Sequence, residues 1–162
     1  MKALITGFAV GAIIFLSAAC PGPTVPSVPL EELLSAPERV AVAGRTFTLE
    51  TFLWRDFMPG GNSGGSDLMA VVLITADDLQ PFPADLDSDK LWVIHSSEVW
   101  ETGFSGESGP PDQTRLHQLQ KRAGGGPKWE TGIKVEVVVR LLGPGGHGYL
   151  LRASGQTIGQ TV

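Results

Sequence analysis

Three aspartates at alternate positions, Asp85, Asp87 and Asp89, are the side chains of this sequence best suited to bind a cation. Carboxylate oxygens spaced by two residues can converge on one hard ion such as Ca²⁺, and Asp77 or Asp78 could add a ligand. The same residues also make an ordinary solvated acidic loop between two strands. We prefer the loop interpretation and predict no metal site, which leaves the three aspartates as weak candidates.

The chain has four tryptophans, which are a second possible source of binding chemistry. Amphipathic aromatic side chains supply much of the energy at protein interfaces and carbohydrate sites. Trp92 and Trp100 lie in apolar, strand-like segments, so we expect them in the core. Trp54 is followed by Arg55 and Asp56, and Trp129 follows Gly-Pro-Lys, so both are expected to be accessible. Trp54 and Trp129 are therefore the candidate ligand or partner surface.

The three histidines, His95, His117 and His147, are far apart in the sequence. None has the short spacing that places two metal ligands on one element. The positions of the serine, histidine and acidic residues along the chain also do not identify a catalytic set. We therefore assign no catalytic residue and expect a protein that is not an enzyme. The alternative is a small metal-dependent or hydrolytic enzyme that uses His95, Asp87 or Ser63.

The segment Gly61-Asn62-Ser63-Gly64-Gly65 resembles the region around the nucleophile of chymotrypsin-like serine proteases. In that family the glycines let backbone amides approach a developing oxyanion while the serine attacks, which implies Ser63 as the nucleophile here. The family's histidine precedes its serine, whereas the first histidine of this chain is His95. We therefore interpret the segment as a Gly/Ser turn.

The first twenty residues have the pattern of an export signal. Lys2 is the only charged residue before Cys20, and an apolar run from Ala3 to Leu16 is followed by small residues. That run is too short to span a bilayer, which requires about 20 apolar residues. Because the chain's sole cysteine ends this pattern, residues 1–20 resemble the lipobox-type signal peptide of bacterial lipoproteins.

The resemblance implies that residues 1–19 are a signal peptide that is removed and that Cys20 becomes a lipid-modified first residue. Covalent acyl chains such as palmitate would hold the protein on a membrane, since each buried CH₂ contributes about 0.8 kcal/mol. We expect no other cofactor. Pro21 rather than aspartate follows Cys20, which implies the periplasmic face of the outer membrane if the cell has two membranes.

Charge and composition limit the other partners. The net charge is −5, and it becomes −6 when Lys2 is removed with the signal peptide. No basic cluster offsets this charge, so we expect no nucleic acid partner. No second cysteine exists to form a disulfide with Cys20, so a hydrophobic core must stabilise the domain.

Residues 20–38 are predicted to be a tether. Four of the ten residues from Cys20 to Pro29 are proline, which favours an extended chain. Leu30, Leu33 and Leu34 have helical spacing and could form two short turns before Pro37 ends them.

From residue 39 onward the pattern is that of a mainly β protein. We predict strands within 40–55, at 68–74, in a hairpin of 91–94 with 98–102, at 134–141 with 149–152, and at 156–158. Residues 116–122 are a strand or a short helix, and 59–66, 77–89 and 103–113 are loops. These elements predict a single antiparallel β-sandwich domain over 39–162, specifically immunoglobulin-like, with a small barrel as the alternative.

Together these features predict a membrane-anchored exported lipoprotein with a non-catalytic β-sandwich module. The module would bind an envelope protein or a small ligand. A third hypothesis is a purely structural envelope lipoprotein with no defined partner.

Overall fold

A computed structural model describes residues 26–59 and 64–162. The predicted signal peptide, the lipidation site Cys20 and the candidate Ser63 lie outside the described residues. The described chain contains one α-helix, nine strands and a short 3-10 turn at Pro144–Gly146. The elements are α1 (Leu30–Ser35), β1 (Arg39–Val42), β2 (Arg45–Asp56), β3 (Leu68–Ala76), β4 (Asp87–His95), β5 (Glu98–Thr102), β6 (Ser105–Gly109), β7 (Gln118–Gly126), β8 (Lys134–Leu142) and β9 (Gly148–Thr161).

The mainly β class is confirmed, but the strands form one sheet instead of two. Their order is β5-β4-β8-β9-β2-β3-β7-β6, with β1 paired to β2 outside this path. The sheet curls into a half-barrel, so the β-sandwich and the immunoglobulin-like topology are not confirmed. The physical reason is the length of β9, whose first part pairs with β8 and whose last part pairs with β2. The β2–β9 pair is parallel, which also corrects the expectation of a purely antiparallel sheet.

One hydrophobic core fills the inside of the curl. Alternating residues of β2 and β3, such as Phe47, Leu53 and Ile74, meet inward residues of the opposite half, such as Val93 and Val137. Phe47, Leu49 and Leu53 of β2 are all buried on this inward face. Phe52 and Trp54 fall on the other face of β2, because successive side chains of a strand point to opposite faces.

A second, smaller core lies on the outside of the sheet, where α1 covers β4 and β8. Leu33 and Ala36 pack there against Trp92, Ile94 and Val138. Strands buried on both faces lose their alternation, which is why β4 and β8 contain continuous apolar runs. Trp92 is fully buried and Trp100 is also in the core, as predicted. The helix belongs to the stretch 20–38 assigned to the tether, yet it is packed on the sheet.

The two edge strands, β5 and β6, are consecutive in the chain. Only Gly103 and Phe104 separate them, although they lie at opposite ends of the sheet order. The indole ring of Trp100 on β5 lies so close to Gly126 on β7 that a Cβ at Gly126 would be 2.8 Å from the ring. The open side of the half-barrel is therefore narrow at this point.

The structure corrects two predicted loops and decides between the two alternatives for residues 116–122. β6 lies inside 103–113, which was predicted to be a loop. β4 begins at Asp87, inside the predicted loop 77–89. Residues 116–122 belong mostly to a strand, β7, which continues into the glycine-rich stretch as far as Gly126.

Candidate functional site

A cleft of 480 Å³ opens between the β3–β4 loop and the segment that joins β6 to β7. The loop contributes Phe82 and Leu86 to its wall, and the opposite side contributes Leu116 and Leu119. Three prolines, Pro81, Pro83 and Pro110, complete the apolar part of the lining. This volume is within the range of small-molecule sites, about 300–1,000 Å³, which are mostly apolar with a few placed polar groups.

A larger cavity of 580 Å³ adjoins the cleft on the other side of Ser108–Pro110. It lies between β6 and β7, and Glu107, Gln120 and Arg122 line it together with glycines. Its lining contains no large apolar side chain among the described residues, so it offers little surface for hydrophobic burial. The apolar cleft is the better candidate for a ligand site.

The β3–β4 loop is held in place by Arg45 on β2. Its guanidinium donates hydrogen bonds of 2.8 Å to each carboxylate oxygen of Asp78, and it also donates to the carbonyl oxygens of Gln80 and Pro81. The hydrogen bond from Arg45 lowers the pKa of Asp78 below its usual value. This planar, charge-assisted contact fixes the loop where Phe82 enters the cleft wall.

Phe82 is anchored on both sides. Its ring packs edge-on against Phe47, with 5.5 Å between ring centroids. Its backbone N–H donates a 2.8 Å hydrogen bond to the carbonyl oxygen of Leu116 on the opposite side of the cleft. A main-chain hydrogen bond therefore joins the two sides of the cleft directly.

The opposite rim begins with a turn at Asp112. One carboxylate oxygen accepts hydrogen bonds from the backbone N–H and the hydroxyl of Thr114, and the other accepts from Nε of Arg115. Hydrogen bonds from Thr114 and Arg115 lower the pKa of Asp112 to about 2. The turn leads directly to Leu116, whose side chain is exposed at the mouth of the cleft.

Gln118 places an amide group in the cleft wall. Its side chain is only 8% exposed. The amide Nε2 donates a 3.0 Å hydrogen bond to Oγ1 of Thr75, while Oε1 is buried and has no hydrogen-bond partner among the described residues. A buried acceptor without a partner costs about 1–3 kcal/mol of folding free energy.

One ion pair lies at the cleft's edge. Asp87 lines the cleft, and its Oδ1 is 2.7 Å from Nζ of Lys121. Lys121 is only 8% exposed, and its ammonium also lies 5.8 Å from the centre of the Phe104 ring. Because the carboxylate and the ammonium balance each other, the cleft carries no net charge.

The three candidate calcium ligands do not converge. Asp85 is exposed in the β3–β4 loop, Asp87 is paired with Lys121, and both oxygens of Asp89 bind the guanidinium of Arg140. The hydrogen bond from Arg140 holds the pKa of Asp89 below its usual value. Within 26–59 and 64–162 no group of three His, Cys, Asp or Glu side chains could hold a metal ion.

The two candidate tryptophans are both half-buried, and neither lines the cleft. Trp129 donates a 2.7 Å hydrogen bond from Nε1 to Oε2 of Glu98 and packs edge-on against His95, with 5.6 Å between ring centroids. Trp54 lies on the outer face of β2 opposite Met69. The structure thus brings Trp129 together with His95 and Glu98, and it leaves Trp54 on a separate outward face.

The remaining histidines are placed by main-chain contacts. The carbonyl oxygen of His117 accepts from the N–H of Ala76, and that of His147 accepts from the N–H of Gly143. His117 immediately precedes β7, His147 precedes β9, and His95 ends β4, so the three belong to different parts of the fold.

Sequence reasoning missed Gln118 and Phe82, the residues that define the cleft. A phenylalanine between two prolines in a polar loop was the available signal for Phe82, because such a ring needs a partner to bury it. No signal marked Gln118, since its partner Thr75 is 43 residues away.

Comparison of the chain with protein-family models, with curated proteins and with solved structures finds no significant match. Nothing about a substrate or partner is therefore carried over from another protein. In the described part of the chain, no helix combines the length and the apolar character needed to cross a membrane.

Proposed function

We propose that this chain is an exported lipoprotein, anchored through Cys20, whose β domain binds a small ligand in the cleft without altering it chemically. The observation that carries the binding function is the apolar cleft of 480 Å³ between the β3–β4 loop and the segment that joins β6 to β7. A small molecule that fills this cleft would bury its own apolar surface against Phe82, Leu116 and Leu119, which favours binding.

The anchor is supported by the sequence of residues 1–20 alone. A lipid on Cys20 would place the domain at a membrane surface, with the proline-rich residues after it setting the distance. The partners under this proposal are the membrane and a ligand or protein of the envelope. The acyl chains on Cys20 are the only covalently bound group that it requires.

Binding is favoured over catalysis by the chemistry of the lining. Its polar side chains are Asp87, Ser108 and Gln118, and Asp87 is already paired with Lys121. Nucleophilic or acid-base catalysis requires a reactive side chain within hydrogen-bond distance of a base. The lining of the cleft as described contains no histidine that could act as that base.

The anchor is tested by metabolic labelling with an alkyne-tagged fatty acid. We expect the full chain to be labelled and to sediment with membranes, and Cys20→Ser to lose both the label and the sedimentation. Ser17→Ala, which keeps a small residue before the cysteine, is the matched control and should behave as the wild type. Unlabelled wild-type protein would refute the anchor and leave the cleft proposal standing.

The binding function is tested by native mass spectrometry of the protein purified from its own membranes. We expect a bound small molecule on the wild type and none on Ala84→Trp, in which an indole from the exposed position 84 fills the cleft. Ala43→Trp, at an exposed turn outside the cleft lining, is the control. The same added mass on all three proteins, or none on the wild type, would count against a ligand in the cleft.

A further inference from the structure

An apolar patch lies on the outer face of β2 and β3, on the wall of the half-barrel opposite α1. It consists of Phe52 and Trp54 of β2 and of Val71 and Met69 of β3, which are paired side by side in the register of the two strands. Phe52 is 56% exposed, and the other three side chains are half-buried. Contiguous exposed apolar surface marks an interaction site more often than scattered apolar residues do.

Glycines on both neighbouring strands leave the patch uncovered. Trp54 is paired with Gly159 of β9, which has no side chain to lie against the indole ring. On the other side, Met69 lies over Gly124 of β7, where a Cβ would be 2.9 Å from the methionine sulfur. The patch is therefore open from both sides, and its tryptophan, phenylalanine and methionine are residue types enriched at protein interfaces.

Two opposite charges lie at the border of the same face. Arg122 of β7 continues the row formed by Phe52 and Val71, whereas Glu50 of β2 is two residues before Phe52 on its own strand. Both charged side chains are exposed, and neither belongs to an ion pair in the described chain. Two strand spacings and one two-residue step separate their Cα atoms by about 12 Å.

This arrangement is complementary to itself. Two copies can pack face to face about a two-fold axis that lies in the interface, midway between Glu50 and Arg122 and perpendicular to the line that joins them. Glu50 of each copy then lies opposite Arg122 of the partner subunit, so one axis forms two ion pairs. The same axis places the two apolar patches against each other. A lipid bilayer offers no such pair of countercharges at fixed positions.

The N-terminal segment leaves this face free. The inward side chains of β2 and β3 meet those of β4 and β8 across one core, so the outer faces of these two walls point in opposite directions. α1 covers the outer face of β4 and β8, and the chain before it is held at β5, where the N–H of Ser27 donates a 2.6 Å hydrogen bond to Oε2 of Glu101. An anchor at Cys20 is thus attached on the side of the domain away from the patch.

We propose that this face is the contact between two copies of the chain, which form a two-fold symmetric dimer through Phe52, Trp54, Met69 and Val71. The apolar side chains provide most of the affinity, and the two contacts between Glu50 and the partner's Arg122 fix the register of one sheet on the other. None of the four apolar residues lines the cleft, so the dimer is independent of the proposed ligand site.

Native mass spectrometry of the full chain in a mild detergent, over a series of protein concentrations, measures the fraction of dimer. We expect the wild type to dimerise. Glu50→Arg brings arginines together at both contacts, and Arg122→Glu does the same with glutamates, so each should raise the dimer dissociation constant at least about tenfold. Glu31→Arg, the same exchange at an exposed position of α1, is the matched control and should dimerise like the wild type.

A mixture of the two charge variants shows whether the charges meet between copies. In a mixed dimer both contacts again join opposite charges. Glu50→Arg and Arg122→Glu should therefore dimerise with each other about as tightly as the wild type does with itself, although neither variant does so alone. Pairing within one copy cannot produce this recovery. Labelling one variant with ¹⁵N separates the mixed dimer from the other two by mass.

Three outcomes would overturn the proposal. The first is a wild type that stays monomeric at every concentration. The second is a dimer that neither charge variant weakens, or that the mixture does not restore, because such a dimer forms through another surface. The third comes from Phe52→p-benzoylphenylalanine, photo-cross-linked in intact membranes: a product with a different protein and none with a second copy would assign the face to that protein. None of these results bears on the cleft, which the comparison with Ala84→Trp tests separately.

Discussion

The guanidinium Nη1 of Arg55 donates a 2.9 Å hydrogen bond to the main-chain carbonyl oxygen of Trp129, 74 residues away in the sequence. The same side chain donates to the carbonyl oxygens of Ser66, Gly64 and Lys128, and it is only 5% exposed. None of the ion pairs in the described chain involves it. Its charge is thus solvated by backbone oxygens, and it joins the loop after β2 to the loop before β8.

Replacement of Arg55 by alanine should lower the free energy of unfolding by about 3 kcal/mol, because several carbonyl oxygens lose a charged donor. Arg55→Lys should recover less than half of this loss, since an ammonium cannot reproduce the planar fork. Urea denaturation followed by tryptophan fluorescence measures both values. If Arg55→Lys were as stable as the wild type, charge rather than the fork geometry would explain the contact.

Gly126→Ala should destabilise the fold by about 1–3 kcal/mol, because the new methyl group meets the ring of Trp100 in a packed core. A Cβ at this position lies 2.8 Å from three ring atoms. Gly103→Ala is the matched control, since its Cβ would meet only the carbonyl oxygen of Asp89 at 3.7 Å. Thermal unfolding monitored in the near-ultraviolet reports both stability and the environment of Trp100. Equal melting temperatures for the two variants would contradict this packing.

Leu33→Ala should lower the free energy of unfolding by about 2–4 kcal/mol, as expected for a buried leucine. The Leu33 side chain is 0% exposed on the side of α1 that faces the sheet, where it packs with Trp92 and Ile94. Its neighbour Leu34 is 39% exposed, so Leu34→Ala should change stability by less than about 0.5 kcal/mol. Chemical denaturation of the two variants decides whether the helix is docked. If both substitutions were harmless, α1 would belong functionally to the tether.

Glu101 should make stability depend on pH in the acid range. Burial raises its pKa, but hydrogen bonds from Nζ of Lys90 at 2.8 Å and the N–H of Ser27 at 2.6 Å outweigh this and lower the pKa to about 2. A carboxyl whose pKa is depressed on folding stabilises the fold above its unfolded pKa, and that contribution is lost as pH falls through the folded pKa.

Glu101→Gln should therefore lower the free energy of unfolding by about 1–2 kcal/mol at pH 7. This difference from the wild type should shrink as pH falls from about 4.5 to 2. Urea denaturation of both proteins at pH 7 and pH 2.5 measures this difference in the free energy of unfolding. Glu107→Gln, on the exposed edge strand β6, removes one negative charge at a surface position and is the matched control for the change in net charge. A constant difference between Glu101→Gln and the wild type at both pH values would mean that the loss comes from packing instead of ionisation.

Strands with a regular or continuous apolar pattern could be predicted from the sequence, whereas the edge strand could not. β3 and β8 are recognisable because burial requires apolar side chains at fixed positions. β6 consists of serine, glycine and glutamate, and it pairs with β7 only at Ser105 and Gly109. A strand held by main-chain bonds at an exposed edge leaves no trace in hydrophobic periodicity.

The cleft could not be predicted because its parts are distant in the sequence. Phe82 and Leu116 meet through a main-chain hydrogen bond, and Gln118 meets Thr75 across neighbouring strands. These contacts depend on the register of β3 with β7, which spacing along the chain does not specify. The acidic residues, by contrast, were visible in the sequence, but the basic partners Lys121 and Arg140 came from strands much later in the chain.

The double pairing of β9 has a consequence for biosynthesis. Among the described strands it alone is hydrogen-bonded to both halves of the sheet, to β8 through its first residues and to β2 through its last. A chain that emerges N-terminus first from a ribosome presents the eight other described strands before β9, which has 14 residues, arrives. Until then β2, β3 and β7 have no main-chain hydrogen bond to β4 and β8 in the described chain, so β9 joins the two halves of the sheet only after the other described strands have been made.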